Sequence, residues 1–189
     1  MATWSEFAAS APELAEEIHA LFCQYGAGFG YLATVRRDGG PRVHPVAPVL
    51  AEGGLFCFVM DSPKRRDLER DGRYALHAYP AEHSDDEAYV TGRALPVTDP
   101  RVLARLARAH RAAPQVDWRL FELDIELAVV TRHAGRDRTP RHHIWRPGSA
   151  VERSGERARP RRLRAVTNGP ALASGTVVAE DRTASATRR

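Results

Sequence analysis

A chain of 189 residues with 43% hydrophobic content has the size of one domain, or of a small domain with a tail, and carries enough apolar side chain for one core. Cys23 and Cys57 are too few for a disulfide scaffold and form no Cys-x-x-Cys pair for zinc. The Met1–Tyr25 segment carries Glu6, Glu13, Glu16 and Glu17 where a secretory signal would be basic and then apolar. The uncharged stretch Leu21–Val35 has 15 residues and three glycines, too short to span a bilayer, so a cytoplasmic protein outside the membrane is expected.

The net charge of +4 is unevenly spread: Ser149–Arg189 holds nine arginines against four acids, which leaves residues 1–148 close to neutral. Lys64 is the only lysine among the 28 basic residues, an exception in an arginine-biased chain.

Thr3-x-x-Glu6 is a capping box, and Ser10 followed by Pro12 signals a second helix start. Leu14, Ile18, Leu21 and Phe22 fall on one helical face, which predicts an amphipathic helix over residues 11–24. Gly30–Arg36, Arg42–Leu50 and Leu55–Met60 are β-rich runs divided by the glycine-rich turns at 38–41 and 52–54, and they predict a three-stranded antiparallel meander. Ser62–Arg70 reads as a short helix with Ser62 as N-cap and Pro63 in its first position. Strands are expected at Arg73–Tyr79 and Ala88–Val97, a helix from Asp99 and Pro100 to about Arg111, and a long strand at Leu120–Thr131 with a short edge at His142–Trp145. Beyond Gly148 no aromatic residue and no periodicity remain, so a disordered basic tail is expected over 149–189, after one domain at 1–148. Hairpin-connected strands with a few helices predict a mainly β fold, a small antiparallel barrel with peripheral helices.

Gly26-x-Gly28-x-Gly30 follows a helix and precedes a strand, the reverse of a dinucleotide loop, and no hydrolase, zinc-protease, Walker or EF-hand motif occurs. His142 and His143 are neighbours on a strand and point to opposite faces, so no metal site is expected. His44 and Arg42 share strand parity and project to one side. Ser62, Lys64 and Arg65 stand at a helix N-terminus, where free N–H groups, a hydroxyl and two cations are what a phosphate monoester requires, with Arg42 placed to close the same pocket.

These blocks, from Gly30-Tyr-Leu-Ala-Thr-Val through Asp38-Gly-Gly-Pro-Arg-Val-His-Pro-Val and Ser62-Pro-Lys-Arg-Arg-Asp-Leu to Arg73-Tyr-Ala-Leu-His, resemble the flavin-binding split-barrel superfamily of pyridoxamine 5′-phosphate oxidase-like proteins. Val90-x-Gly92-x-Ala94 and Trp145-Arg146-Pro147 fit as well. The resemblance implies a six-stranded antiparallel split β-barrel of the FMN-binding type, and a homodimer with two sites at the subunit interface. It matches Arg42 and Lys64 to the positions that grip the flavin phosphate, with Ser62 and Arg65 flanking them. Val43, His44, Pro45 and Val46 match the strand whose backbone runs along the flavin ring. The oxidase proper closes its substrate site with an Arg-x-His pattern near its C-terminus, and the corresponding end here reads His142-His143-Ile144-Trp145-Arg146-Pro147, so pyridoxamine-phosphate oxidation is not expected.

The resulting expectation is an FMN-dependent oxidoreductase acting on a small molecule, with no catalytic side chain of its own because hydride transfer belongs to the flavin. A deazaflavin (coenzyme F-420)-dependent reductase is the alternative within the same fold, and a flavin- or haem-binding storage module, with a strand histidine as haem ligand, is the non-enzymatic one. Trp145 or Trp118 is expected to cover the ring from the second subunit, and the tail to give only unspecific contact with nucleic acid.

Overall fold

The computed structural model describes residues 1–26, 28–110, 112–133 and 139–154. Two helices open the chain, α1 (Trp4–Ser10) and α2 (Pro12–Cys23). The capping box holds α1: the Thr3 hydroxyl accepts from the Glu6 N–H at 3.3 Å while the Glu6 carboxylate accepts from the Thr3 N–H at 2.8 Å. Leu14, Ile18, Leu21 and Phe22 are all buried, so the predicted apolar face of α2 is the face that docks on the sheet.

The strands follow as β1 (Gly30–Val35), β2 (Pro41–Val46), β3 (Pro48–Ala51) and β4 (Gly54–Met60), then helix α3 (Pro63–Arg70), β5 (Arg73–Ala78) and β6 (Glu87–Pro96). Helix α4 (Pro100–Ala109) precedes β7 (Trp118–Arg132), β8 (Arg141–Trp145) and β9 (Glu152–Ser154). β9 pairs with β8 inside the segment expected to be without structure, and the rest of that segment lies outside the described residues.

Two expectations are corrected. The predicted run 42–50 is not one strand, so the runs 30–36, 42–50 and 55–60 do not form a three-stranded meander: β2 pairs with β1 and β3 pairs with β4, with Ala47 between β2 and β3. Pro45 and Pro48 bracket that point and bring no N–H donors to a continued ladder. Nor is the fold a six-stranded barrel. It is a nine-stranded antiparallel sheet in the order β2-β1-β5-β6-β7-β4-β3, with β8 and β9 beside β7. The end strands β2 and β3 are linked through Ala47 alone, yet no hydrogen-bond ladder joins them, so the sheet stays open.

β7 organises the sheet. Its 15 residues pair along one side with β6, and along the other with β4 at the start and β8 at the end. A bulge at Thr91/Gly92 lets β6 follow it; a Cβ at Gly92 would stand 1.9 Å from the Asp124 carbonyl oxygen, so only glycine fits that approach. The β3–β4 turn uses Glu52 and Gly53 at φ 52° and 75°, the left-handed pair that a two-residue hairpin loop needs.

The main core lies between α1, α2 and the sheet, with Phe7, Ile18, Phe22, Leu32, Leu76, Phe121 and Ile125 fully enclosed. A smaller cluster of Val49, Phe56, Leu106 and Leu120 fixes α4. No helix among the described residues is long and apolar enough to cross a membrane.

Candidate functional site

Along β2 exposure alternates, and Arg42, His44 and Val46 form the half-buried side while Pro41, Val43 and Pro45 are exposed. Opposite them, α3 begins at Ser62, whose hydroxyl accepts from the Arg65 N–H at 3.5 Å and donates to the Met60 carbonyl at 3.0 Å. These two elements place the expected phosphate-gripping residues, but they do not present them equally.

Arg42 is held by its own chain: its Nε donates to Asp67 at 2.7 Å. Asp67, 5% exposed, also accepts from the Thr34 hydroxyl at 3.1 Å and from Arg70 at 3.2 Å. Burial alone would raise this carboxyl, and the hydrogen bonds from Arg42, Arg70 and Thr34, with the Arg42 charge, outweigh it and keep the group below the usual carboxylate range. Arg65 is likewise committed, to Asp117 at 2.7 Å and Glu69 at 3.1 Å. Lys64 is different. Among the described residues it makes no hydrogen bond or ion pair, and its charge acts on its neighbours: with burial and Arg42 it lowers the His44 imidazole below its ordinary value, partly offset by Asp67. Burial pushes the nearby Cys57 thiol up to about 12, against the pull of Lys64. The His44 Nε2 atom is buried without a hydrogen-bond partner.

Lys64 lines a cleft of about 760 Å³, within the size range of cofactor pockets. It is lined by Pro45–Leu50, where β2 passes through Ala47 into β3, by Phe58 and Met60 at the end of β4, by His19 and Cys23 of α2, by His110 after α4 and by Trp118 at the start of β7. Cys23 Sγ lies 3.8 Å from His19 Nε2. Trp118 Nε1 donates to the Ala113 carbonyl at 3.0 Å, which fixes the indole at the rim. Of the expected site residues the cleft gathers Pro45, Val46 and Lys64. Val43 is 57% exposed on the opposite face of β2, and Trp145 is 2% exposed in the core, 4.7 Å from the Phe7 ring, so it covers nothing in this cleft. His19, Cys23 and His110 went unseen in the sequence, although His19 and Cys23 stand at i and i+4 beside the apolar stripe of α2, where they share a helix face. Among the described residues no three metal-ligating side chains come together.

No family model and no curated protein matches the sequence. Solved structures do. The chain is similar to PhzG of Burkholderia lata, determined with tetrahydrophenazine-1-carboxylic acid, at 18% identity over 77% of this chain and 91% of that one, with a TM-score of 0.56. It is similar to a heme binding protein of Mycobacterium smegmatis at 22% identity, 68% and 57% coverage and a TM-score of 0.53. A third is a putative pyridoxamine 5′-phosphate oxidase of Listeria innocua, at 16% identity, 62% and 98% coverage and a TM-score of 0.52. At these identities the likeness is one of fold, and the fold is shared by a heme binding protein and a putative pyridoxamine 5′-phosphate oxidase alike.

Proposed function

We propose that the chain is a cofactor-binding member of the pyridoxamine 5′-phosphate oxidase-like superfamily, a flavin- or haem-binding module that takes a planar, acid-bearing ring system into the 760 Å³ cleft. The observation that carries this reading is Lys64: a cation without a partner among the described residues at the wall of a largely apolar cleft, while Arg65 is paired with Asp117 and Glu69 and Arg42 gives its Nε to Asp67 outside that cleft. One free ammonium beside apolar walls suits a phosphate or a propionate, and the walls suit the ring. His19, Cys23 and His110 bring nitrogen and sulfur donors to the same cleft, which favours haem over a flavin held by its phosphate alone. A flavin would supply hydride transfer and a haem its iron; the chain's own residues supply binding, orientation and exclusion of water.

Oxidoreduction of a small molecule with FMN or the deazaflavin is the second reading, favoured by the place of Lys64 and Ser62 at the start of α3. In both readings a second copy of the chain covers the outer face of β1, β2 and β5. There Val43, Phe29 and Tyr79 are exposed, with Tyr31 and Tyr79 stacked at 5.5 Å. Cys23 and Cys57 are free thiols, in keeping with a cytoplasmic site of action.

Absorption titration of the purified chain with haemin, FMN and the deazaflavin separates the readings, because the three ring systems absorb at different wavelengths. A saturable spectral shift with haemin at one per chain is the expected result. Saturation by FMN or the deazaflavin alone assigns the second reading, and no saturable shift with any of the three overturns both.

A further inference from the structure

A second pocket of about 610 Å³ is lined by Arg37, Arg42, Arg66 and Arg70, with Pro63 and Asp67. We propose that it binds a compact polyanion, a chain of two or more phosphate groups, either free or as the charged tail of a cofactor whose ring occupies the cleft. The second source rests on the cofactor reading above; the first does not.

The pocket is built rather than merely basic. Asp67 holds two guanidinium groups from different elements, Arg42 of β2 at 2.7 Å and Arg70 of α3 at 3.2 Å, and Arg70 also donates to the Val35 carbonyl of β1. Arg42 spends only its Nε on Asp67, so its terminal nitrogens make no other hydrogen bond among the described residues. Among the described residues Arg37, on the turn before β2, makes none, and Arg66 makes one, to the largely exposed Asp61 at 3.1 Å. Four guanidinium charges therefore face one lining carboxylate, with Asp61 at the rim. Two of the four are already oriented, so little side-chain entropy remains to be lost when an anion binds. A single orthophosphate leaves charge uncompensated here, whereas an oligophosphate brings the several negative charges that four guanidinium groups can pair with. Arg37, Arg66 and Arg70 are outside the set the resemblance matched to the flavin phosphate. Pro63 lines this pocket and Lys64 the cleft, so both cavities border on the start of α3.

The test is calorimetric titration of the full chain at about 0.1 M salt with sodium tripolyphosphate and with orthophosphate. Tripolyphosphate is expected to bind one per chain and more tightly than orthophosphate, and Arg37→Ser and Arg66→Ser are each expected to weaken it about 10-fold. Neither arginine holds a buried partner, so unchanged melting temperatures accompany the loss. Arg101→Ser, on α4 away from the pocket, is the control for general charge. Tripolyphosphate Kd above about 1 mM, or an equal loss in Arg101→Ser, overturns the site and leaves a solvated basic face. FAD and FMN separate the two sources: FAD that displaces tripolyphosphate where FMN does not assigns the pocket to a cofactor tail. Tripolyphosphate binding that survives saturating FAD assigns it to free oligophosphate. Pocket binding in a chain that takes up no ring cofactor sinks the cleft reading alone.

Discussion

Around the start of α3 the molecule handles positive charge in opposite ways. In the arginine pocket a buried carboxylate fixes Arg42 and Arg70 before any ligand arrives, whereas in the cleft Lys64 stands alone among apolar walls. The first arrangement ties ligand recognition to stability, since the same groups hold α3 against β1 and β2. The second separates them, because nothing in the fold leans on Lys64. Residues that look equivalent as members of one basic run, Lys64-Arg65-Arg66, therefore do three different jobs.

The sharpest way to break this contrast is Asp67→Ala. Removing it leaves Arg42, Arg70 and Thr34 without their shared acceptor, and although the two arginines are partly exposed, loss of charge-assisted hydrogen bonds to a buried carboxylate costs about 1.5–3 kcal/mol. Urea unfolding should register that loss for Asp67→Ala and under about 0.5 kcal/mol for Lys64→Ala. Equal destabilisation of the two variants would erase the distinction.

Ligand affinity should rank the other way. Lys64→Ala is expected to weaken the cleft cofactor by roughly 10- to 150-fold, the worth of one charge-assisted contact. Arg65→Ala should do less, its guanidinium being spent on Asp117 and Glu69. Absorption titrations of both variants with the cofactor that saturates the wild type decide the order, and a larger loss for Arg65→Ala would reverse the assignment of the free cation.

The smallest effect concerns His44, which lies between the two regions. Its imidazole is held below the ordinary value of 6.5 by burial, then by Lys64 and Arg42. The unfolded chain therefore takes up a proton that the folded chain resists, so this residue's contribution is full above that value and is lost as the pH falls through the folded pKa. His44→Gln should flatten the acid side of the stability profile. Urea midpoints across that window measure it, and parallel slopes for variant and wild type would remove His44 from the account.

Elements whose signals are local were legible: the α1 capping box, the apolar stripe of α2, Ser62 and Asp99 as N-caps, and the glycine turns. What escaped depends on partners distant in the chain. Alternation from Arg42 to Leu50 persists across Ala47, but a period of two says which face a residue takes and not which strand it pairs with, so one predicted strand became two at opposite ends of the sheet. Closure into a barrel was unreadable for the same reason. Arg65 looked free because Asp117, 52 residues on, has no local signature. Trp145 looked available because its packing partner, Phe7, comes from the first helix.

The central position of β7 bears on how the chain comes to be folded. β4 meets β7 at Phe56↔Glu122 and β6 at Ala94↔Leu123, and even Ala2 docks on Ile125 through mutual backbone hydrogen bonds of 3.0 and 2.7 Å. During synthesis, then, the N-terminal half emerges with strand edges that have nothing to pair with until residues near 125 have left the ribosome. Contacts of such long sequence separation make folding slow and leave those edges exposed to neighbouring chains in the interval. A nascent or truncated chain ending before Trp118 is thus not a smaller version of this protein but a half-sheet open to aggregation.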